Sequence, residues 1–133
     1  MPDVCLSHRT GNPYEARFGY SRAVRRGPFV FVSGTTSVDA ASGAVQHPGD
    51  AGAQARAAFA EIVRAVEAVG AARADVVRVR MFVTHAADCD AVGAALKDAL
   101  GDVAPAATML VGARFVSEEM RVEIEADAVV LAQ

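Results

Sequence analysis

The run VVRVRMFVT at residues 76–84 alternates along its length. Val77, Val79, Met81 and Val83 fall on one side, and Arg78, Arg80 and Phe82 on the other. That is the period of a strand with one face in a core. The residues before it have the helical period instead. Phe59, Ile62, Val63, Val66 and Val69 recur at i, i+3, i+4, i+7 and i+10, one apolar stripe. Asp50 is placed to accept from the free N–H groups of that helix's first turn, and Gly70 to end it. The residues after the strand open a second amphipathic helix, capped by Asp88 or Asp90. Val92, Ala95, Leu96, Ala99 and Leu100 form its stripe, and Gly101 closes it. A half-buried strand between two one-sided helices belongs to a sheet that both helices cover.

Further strands extend this unit in both directions. Tyr20–Arg25 and Phe29–Ser33 flank Arg26-Gly27-Pro28, whose Gly and Pro favour a turn, so the three segments predict a hairpin. Thr108–Val111 is a short apolar run before Gly112. In 121–130 Val122, Ile124, Ala126 and Ala128 alternate with Glu123, Glu125 and Asp127. Residues 1–19 mix Pro, Gly, Ser, Asn and charge and are expected to form an irregular arm. The order β-β-α-β-α-β-β gives an α+β fold, a single mixed sheet with two helices on one face, over one domain spanning 1–133.

Composition narrows the function. The chain has 133 residues, 53% hydrophobic and 22% charged, with 13 basic against 16 acidic side chains. This excludes a disordered chain and disfavours nucleic acid, which calls for a basic excess. Two cysteines, Cys5 and Cys89, make neither a disulfide framework nor a four-ligand zinc site. No apolar run approaches the roughly 20 residues that cross a bilayer. The start MPDVCLSHRT lacks an apolar signal core, so a reducing cytoplasmic setting is expected. Phosphate-loop, dinucleotide, zincin and nucleophile-elbow motifs are absent. His85 with Asp88, Cys89 and Asp90 is better explained as a loop and helix cap than as a metal cluster. No metal or cofactor is expected.

The second face of the sheet would carry Arg78, Arg80, Phe82, Glu123, Glu125 and Asp127, with Phe29 or Phe31 beside them. Such a mixture of aromatic and paired charged groups suits a subunit interface.

Five segments occur in one order with short gaps: FVSGT (31–35), the helix capped at Asp50, RVRMFVT (78–84), PAAT (105–108) and VEIEADAV (122–129). Together, from about Phe18 to the C-terminus, they resemble the Rid family, also called YjgF/YER057c/UK114 or endoribonuclease L-PSP. The resemblance implies a chorismate-mutase-like subunit, a homotrimer with clefts between subunits, and hydrolysis of small imines and enamines without a cofactor. It implies catalytic roles for Tyr20, Ser33 and Glu123. Gly93, Ala107 and Met109 stand where the family has an asparagine, an arginine and a cysteine. That arginine grips the substrate carboxylate as a bidentate fork. Its replacement by Ala107 argues against the usual 2-iminoacid and for a more apolar pocket. Arg22, two residues beyond Tyr20, is a candidate to supply the cation instead, as are Arg17 and Arg114; Tyr14 and Glu15 are candidate polar contacts.

Glu123 has two readings. It is an acid/base group whose pKa crowding by Glu125 and Asp127 would raise, or it is a cross-strand partner of Arg78 or Arg80. The function follows the same division. An imine- or enamine-directed enzyme is one reading, and a non-catalytic small-ligand-binding or regulatory trimer is the alternative. A ribonuclease fits least, for an acidic chain without a histidine pair.

Overall fold

The computed structural model describes residues 4–131. Its strands are β1 (Cys5–His8), β2 (Ala23–Arg26), β3 (Phe29–Thr35), β4 (Val76–Val83), β5 (Ala106–Val111) and β6 (Val122–Val129). They form one six-stranded sheet of order β1-β2-β3-β6-β4-β5. Only β4 and β5 run parallel; the other neighbours are antiparallel. The helices are α1 (Pro13–Phe18), α2 (Ala51–Ala68) and α3 (Cys89–Leu100). α2 lies across β3 and β6 and packs against α3. The mixed sheet with its two long helices on one face is the expected α+β architecture.

The core forms where the two periods meet. Phe59, Ile62, Val66 and Val69 of the helical stripe are buried against Val79, Met81, Val83, Val122, Ile124 and Ala126. Each large aliphatic or aromatic side chain so buried contributes about 1.5–3 kcal/mol. Asp50 caps α2 as expected, its carboxylate accepting from the Ala53 N–H at 3.0 Å. Gly70, at φ +84°, closes α2. Its N–H donates to Glu67 O, while the Ala71 N–H donates to Val66 O, a pair of bonds that satisfies carbonyls the helix would leave free.

Four expectations need correction. Within the arm, Cys5–His8 form β1 and Pro13–Phe18 form α1, while its first three residues lie outside the described ones. The turn-forming residues there are the punctuation of a six-residue helix. Asn12 accepts from the Tyr14 N–H at 2.9 Å, Pro13 occupies the first turn, and Gly19 at φ +80° ends it. β2 starts at Ala23 rather than Tyr20, because 20–22 turn from α1 into the sheet. Val77 does not share the inward face. Val76 pairs with Ala128 and Arg78 with Asp127, so Val77 is the extra residue of a bulge and is 46% exposed; Val76 fills the core in its place. Asp88 occupies the N-cap of α3 without capping it. Its carboxylate turns to the Arg121 guanidinium, 3.2 Å away.

The second face has the expected character. Phe29, Phe31 and Leu110 are exposed. Arg80 bridges Glu125 at 3.3 Å and Asp127 at 3.4 Å. Among the described residues no helix is long and apolar enough to cross a membrane.

Candidate functional site

Where β3 meets β6, a second irregularity interrupts the ladder. Val32 pairs with Ala126 but Thr35 with Ile124, so Ser33 and Gly34 together oppose one residue. The bulge bends β3 beside Glu123 and frees the Gly34 carbonyl from the ladder. A Cβ built on Gly34 would lie 2.8 Å from both Cδ and Oε1 of Glu123. The missing side chain is therefore what lets the glutamate lie against the strand. Gly34 is not in the left-handed region, so space and not backbone conformation makes glycine necessary here.

Above the bulge is a cleft of about 120 Å³ lined by Tyr14, Tyr20, Arg22, Gly34, Met120 and Glu123, among others. α1 contributes Tyr14, and the turn after it Tyr20. Arg22 enters just before β2, and Glu123 is the first outward residue of β6. Arg22 is 2% exposed and Glu15 1%. The Arg22 Nε–H donates to Glu15 Oε2 at 3.1 Å. Its Nη1 donates to Gly34 O at 2.5 Å and to Thr35 Oγ1 at 3.2 Å. Its Nη2 donates to the Tyr20 hydroxyl at 3.3 Å, and its guanidinium also lies over the Tyr20 ring, 5.4 Å from the centroid. The Thr10 N–H and hydroxyl donate to Glu15 at 2.8 and 2.7 Å. Burial pushes the Glu15 carboxyl up, but the bonds from Thr10 and Arg22 outweigh it and hold the group below the ordinary glutamate range.

Glu123 behaves in the opposite way. Burial raises its pKa, the Arg22 charge partly offsets this, and Glu125 adds a smaller upward push. The expected crowding is thus the lesser cause and desolvation the greater. The cross-strand reading of Glu123 fails on register. Phe82, not an arginine, stands opposite it, and Arg80 is taken by Glu125 and Asp127. Among the described residues Glu123 makes no ion pair. A half-buried carboxyl that shares a cleft with a guanidinium and a phenol can hold a proton and pass it on.

The other candidate residues are dispersed. Ser33 does not line the cleft; its hydroxyl donates to Ser21 O at 2.7 Å and ties the bulge to the Tyr20–Arg22 turn. Ala107 and Met109 lie on β5, opposite Val79 and Met81. β5 is the far edge strand, separated from β6 by β4. Gly93 lies on α3. Within one chain, none of these three meets Glu123. Arg17 stacks over Phe18 at 5.1 Å, and Arg114 borders a separate hollow with Thr84 and Phe115. Arg22 is thus the candidate arginine that lines the cleft. Sequence reasoning included Gly34 only within the FVSGT segment and missed its role, and it missed the pairing of Glu15 with Arg22. The spacing Asn12-x-x-Glu15 resembles a capping pattern and could have revealed α1, although the Glu15 carboxylate bonds Thr10 instead.

Comparison with known proteins gives the lineage of this arrangement. Residues 10–130 match the family model described as endoribonuclease L-PSP. An uncharacterized Streptomyces coelicolor protein is 35% identical over 120 residues, covering 90% of this chain and 88% of that one. A Mycobacterium tuberculosis structure, described as a member of the YjgF/YER057c/UK114 family, is 37% identical with a TM-score of 0.84, covering 95% of this chain and 99% of that one. The Escherichia coli YjgF structure is 26% identical with a TM-score of 0.76, covering 97% and 98%. The match includes α1, both bulged strands and the strand that carries Glu123, and on that extent the chain belongs to the endoribonuclease L-PSP family, the YjgF or Rid family.

Proposed function

We propose that the protein is a Rid-type enzyme that hydrolyses, or moves a proton within, a small imine or enamine, in a cleft completed by a neighbouring subunit of a homotrimer. The observation that carries this reading is Glu123: a desolvated carboxyl, free of any ion pair among the described residues, facing Arg22 and Tyr20. The trimer is supported by the exposed Phe29, Phe31 and Leu110 on the uncovered sheet face. It would also bring a neighbour's β5, with Ala107 and Met109, to the cleft.

In this reading Glu123 takes a proton from water as the water oxygen bonds to the imine carbon. The imine enters protonated on nitrogen, so as the C=N bond becomes a single bond its electron pair stays on nitrogen and a neutral carbinolamine results. Glu123 then gives its proton to that nitrogen; the C–N bond breaks as the hydroxyl proton passes to Glu123, releasing ammonia and leaving a carbonyl. The raised pKa suits both halves of that transfer, since a base near its own pKa can also act as the acid. Tyr20, held by Arg22, orients the substrate, and Ser33 fixes the turn that carries Tyr20. Ala107 offers no fork for a carboxylate, so the usual 2-iminoacid is not the preferred substrate.

The test is ammonia release from imines generated in place by an amine or amino-acid oxidase. Wild type should accelerate release, Glu123→Gln should lose most of that acceleration, and Ala107→Arg should gain activity toward carboxylate-bearing imines. A wild type that leaves the spontaneous rate unchanged on both substrate types overturns the enzyme reading and favours a non-catalytic ligand-binding trimer.

A further inference from the structure

Two charged side chains line the cleft, Arg22 and Glu123, and Glu15 stands behind Arg22; the balance of the three decides what can enter. Glu15 and Arg22 cancel one another. They are both almost fully buried and are joined at 3.1 Å. Arg22 also spends three more donors internally, on Gly34 O, Thr35 Oγ1 and the Tyr20 hydroxyl. Of the five N–H groups of a guanidinium, this leaves a single one on Nη2. The guanidinium is thus a structural brace for the turn and the bulge, not an open fork. Among the described residues Glu123 has no such partner, and its carboxyl rests against the Gly34 backbone. The other side chains that line the cleft, Tyr14, Phe18 and Met120 among them, carry no formal charge. Arg17 lies over Phe18 without lining the cleft, and Glu125 on the same face is occupied by Arg80.

We infer that the cleft takes a cation: the protonated imine or ammonium form of a simple amine-derived molecule that carries no carboxylate. The inference deepens the proposed function by naming its substrate class. An ammonium or iminium group would place its N–H donors on Glu123 and its positive charge near Tyr14, the one of the three lining rings over which no guanidinium lies, and an aromatic ring favours a cation. A carboxylate would face Glu123 directly, with one Arg22 N–H to compensate. Like charges set against each other cost affinity steeply in a desolvated site.

Binding of inert probes tests this without turnover. Propylammonium, propanoate and neutral propanamide are titrated into the purified full chain, following amide resonances of Tyr20 and Gly34. Propylammonium should bind about tenfold or more tighter than propanoate, with propanamide between them. Glu123→Gln should abolish the preference for propylammonium. Glu15→Gln, which releases the Arg22 charge, should raise propanoate affinity by a similar factor. Propanoate binding as tightly as propylammonium, a preference unchanged in Glu123→Gln, or no response to any probe would each overturn the inference. Binding of propylammonium without ammonia release would overturn the enzyme reading and leave the cation site standing. Ammonia release with propanoate preferred would do the reverse.

Discussion

Replacing Glu15 by alanine strands the Arg22 guanidinium in a position only 2% exposed. The variant removes one charge-assisted bond at 3.1 Å and two bonds from Thr10 at 2.7 and 2.8 Å. The larger effect is on what remains. Arg22 keeps its bonds to Gly34, Thr35 and Tyr20 but loses the charge that compensates it. Removing one partner of a buried pair costs about 3–5 kcal/mol, because an unpaired charge stays desolvated. A domain of this size has about 5–15 kcal/mol of stability in all, so Glu15→Ala should remain folded but close to the edge. Equilibrium unfolding in urea, at one fixed protein concentration because an oligomer's stability depends on it, measures the loss. Replacing both partners, Glu15→Leu with Arg22→Met, should recover most of it, since an apolar pair of similar volume carries no orphaned charge. A Glu15→Ala variant within about 1 kcal/mol of wild type, the range of an exposed pair, would refute the claim that this pair is desolvated and braces the cleft.

Gly34→Ala should leave the fold intact, because its new Cβ, 2.8 Å from Glu123 Cδ and Oε1, meets only the end of a flexible side chain. The carboxyl must retreat by about 1 Å, and a displacement of that order costs about 100-fold in rate; ammonia release beside a thermal melt separates the two effects. Acid should destabilise the protein through Glu15. Its folded pKa is depressed, so its contribution is complete above the ordinary glutamate value and is lost as pH falls through the folded one. Urea midpoints below about pH 4 check this, and the loss should be smaller when Glu15→Leu and Arg22→Met are combined, since Asp39 and Asp102 also carry lowered pKa values. Glu123 has the opposite sign. Its folded pKa is raised, so its ionised form is disfavoured by folding and Glu123→Gln should raise the melting temperature at neutral pH. That gain should fade once the pH drops below the ordinary glutamate value.

The covered half of this fold was legible because periodicity survives burial. Ile62 and Val66 announce a helix, and Val122 to Ala128 a strand, through the same burial that packs them together. β1 and α1 were not legible, because neither has a stripe. Cys5–His8 is an exposed edge of four residues, and the six residues of α1 are too few to show a period. Their order comes from caps and from the distant pairing of Glu15 with Arg22. The bulges at Val77 and at Ser33–Gly34 escaped for a related reason: a single extra residue shifts the register without changing the composition. At the site, Glu123, Tyr20 and Arg22 were found in the sequence and do share a cleft. Ala107, Met109 and Gly93 lie apart from Glu123 within one chain, a separation that motif positions along the sequence do not reveal. Gly34 was missed because its role lies in the space it leaves, which becomes visible only when Glu123 is placed over it.

The central claim is that Glu123 transfers the proton from within a desolvated cleft. The pH dependence of kcat/KM for ammonia release, in wild type and Glu123→Gln, tests it most directly, because that profile reports the ionisations of the free enzyme. Wild type should show an acid limb set by a group titrating above the ordinary glutamate value, and Glu123→Gln should lose that limb together with most of the rate. An acid limb that persists in the variant, or a rate that does not need the carboxyl, would contradict it.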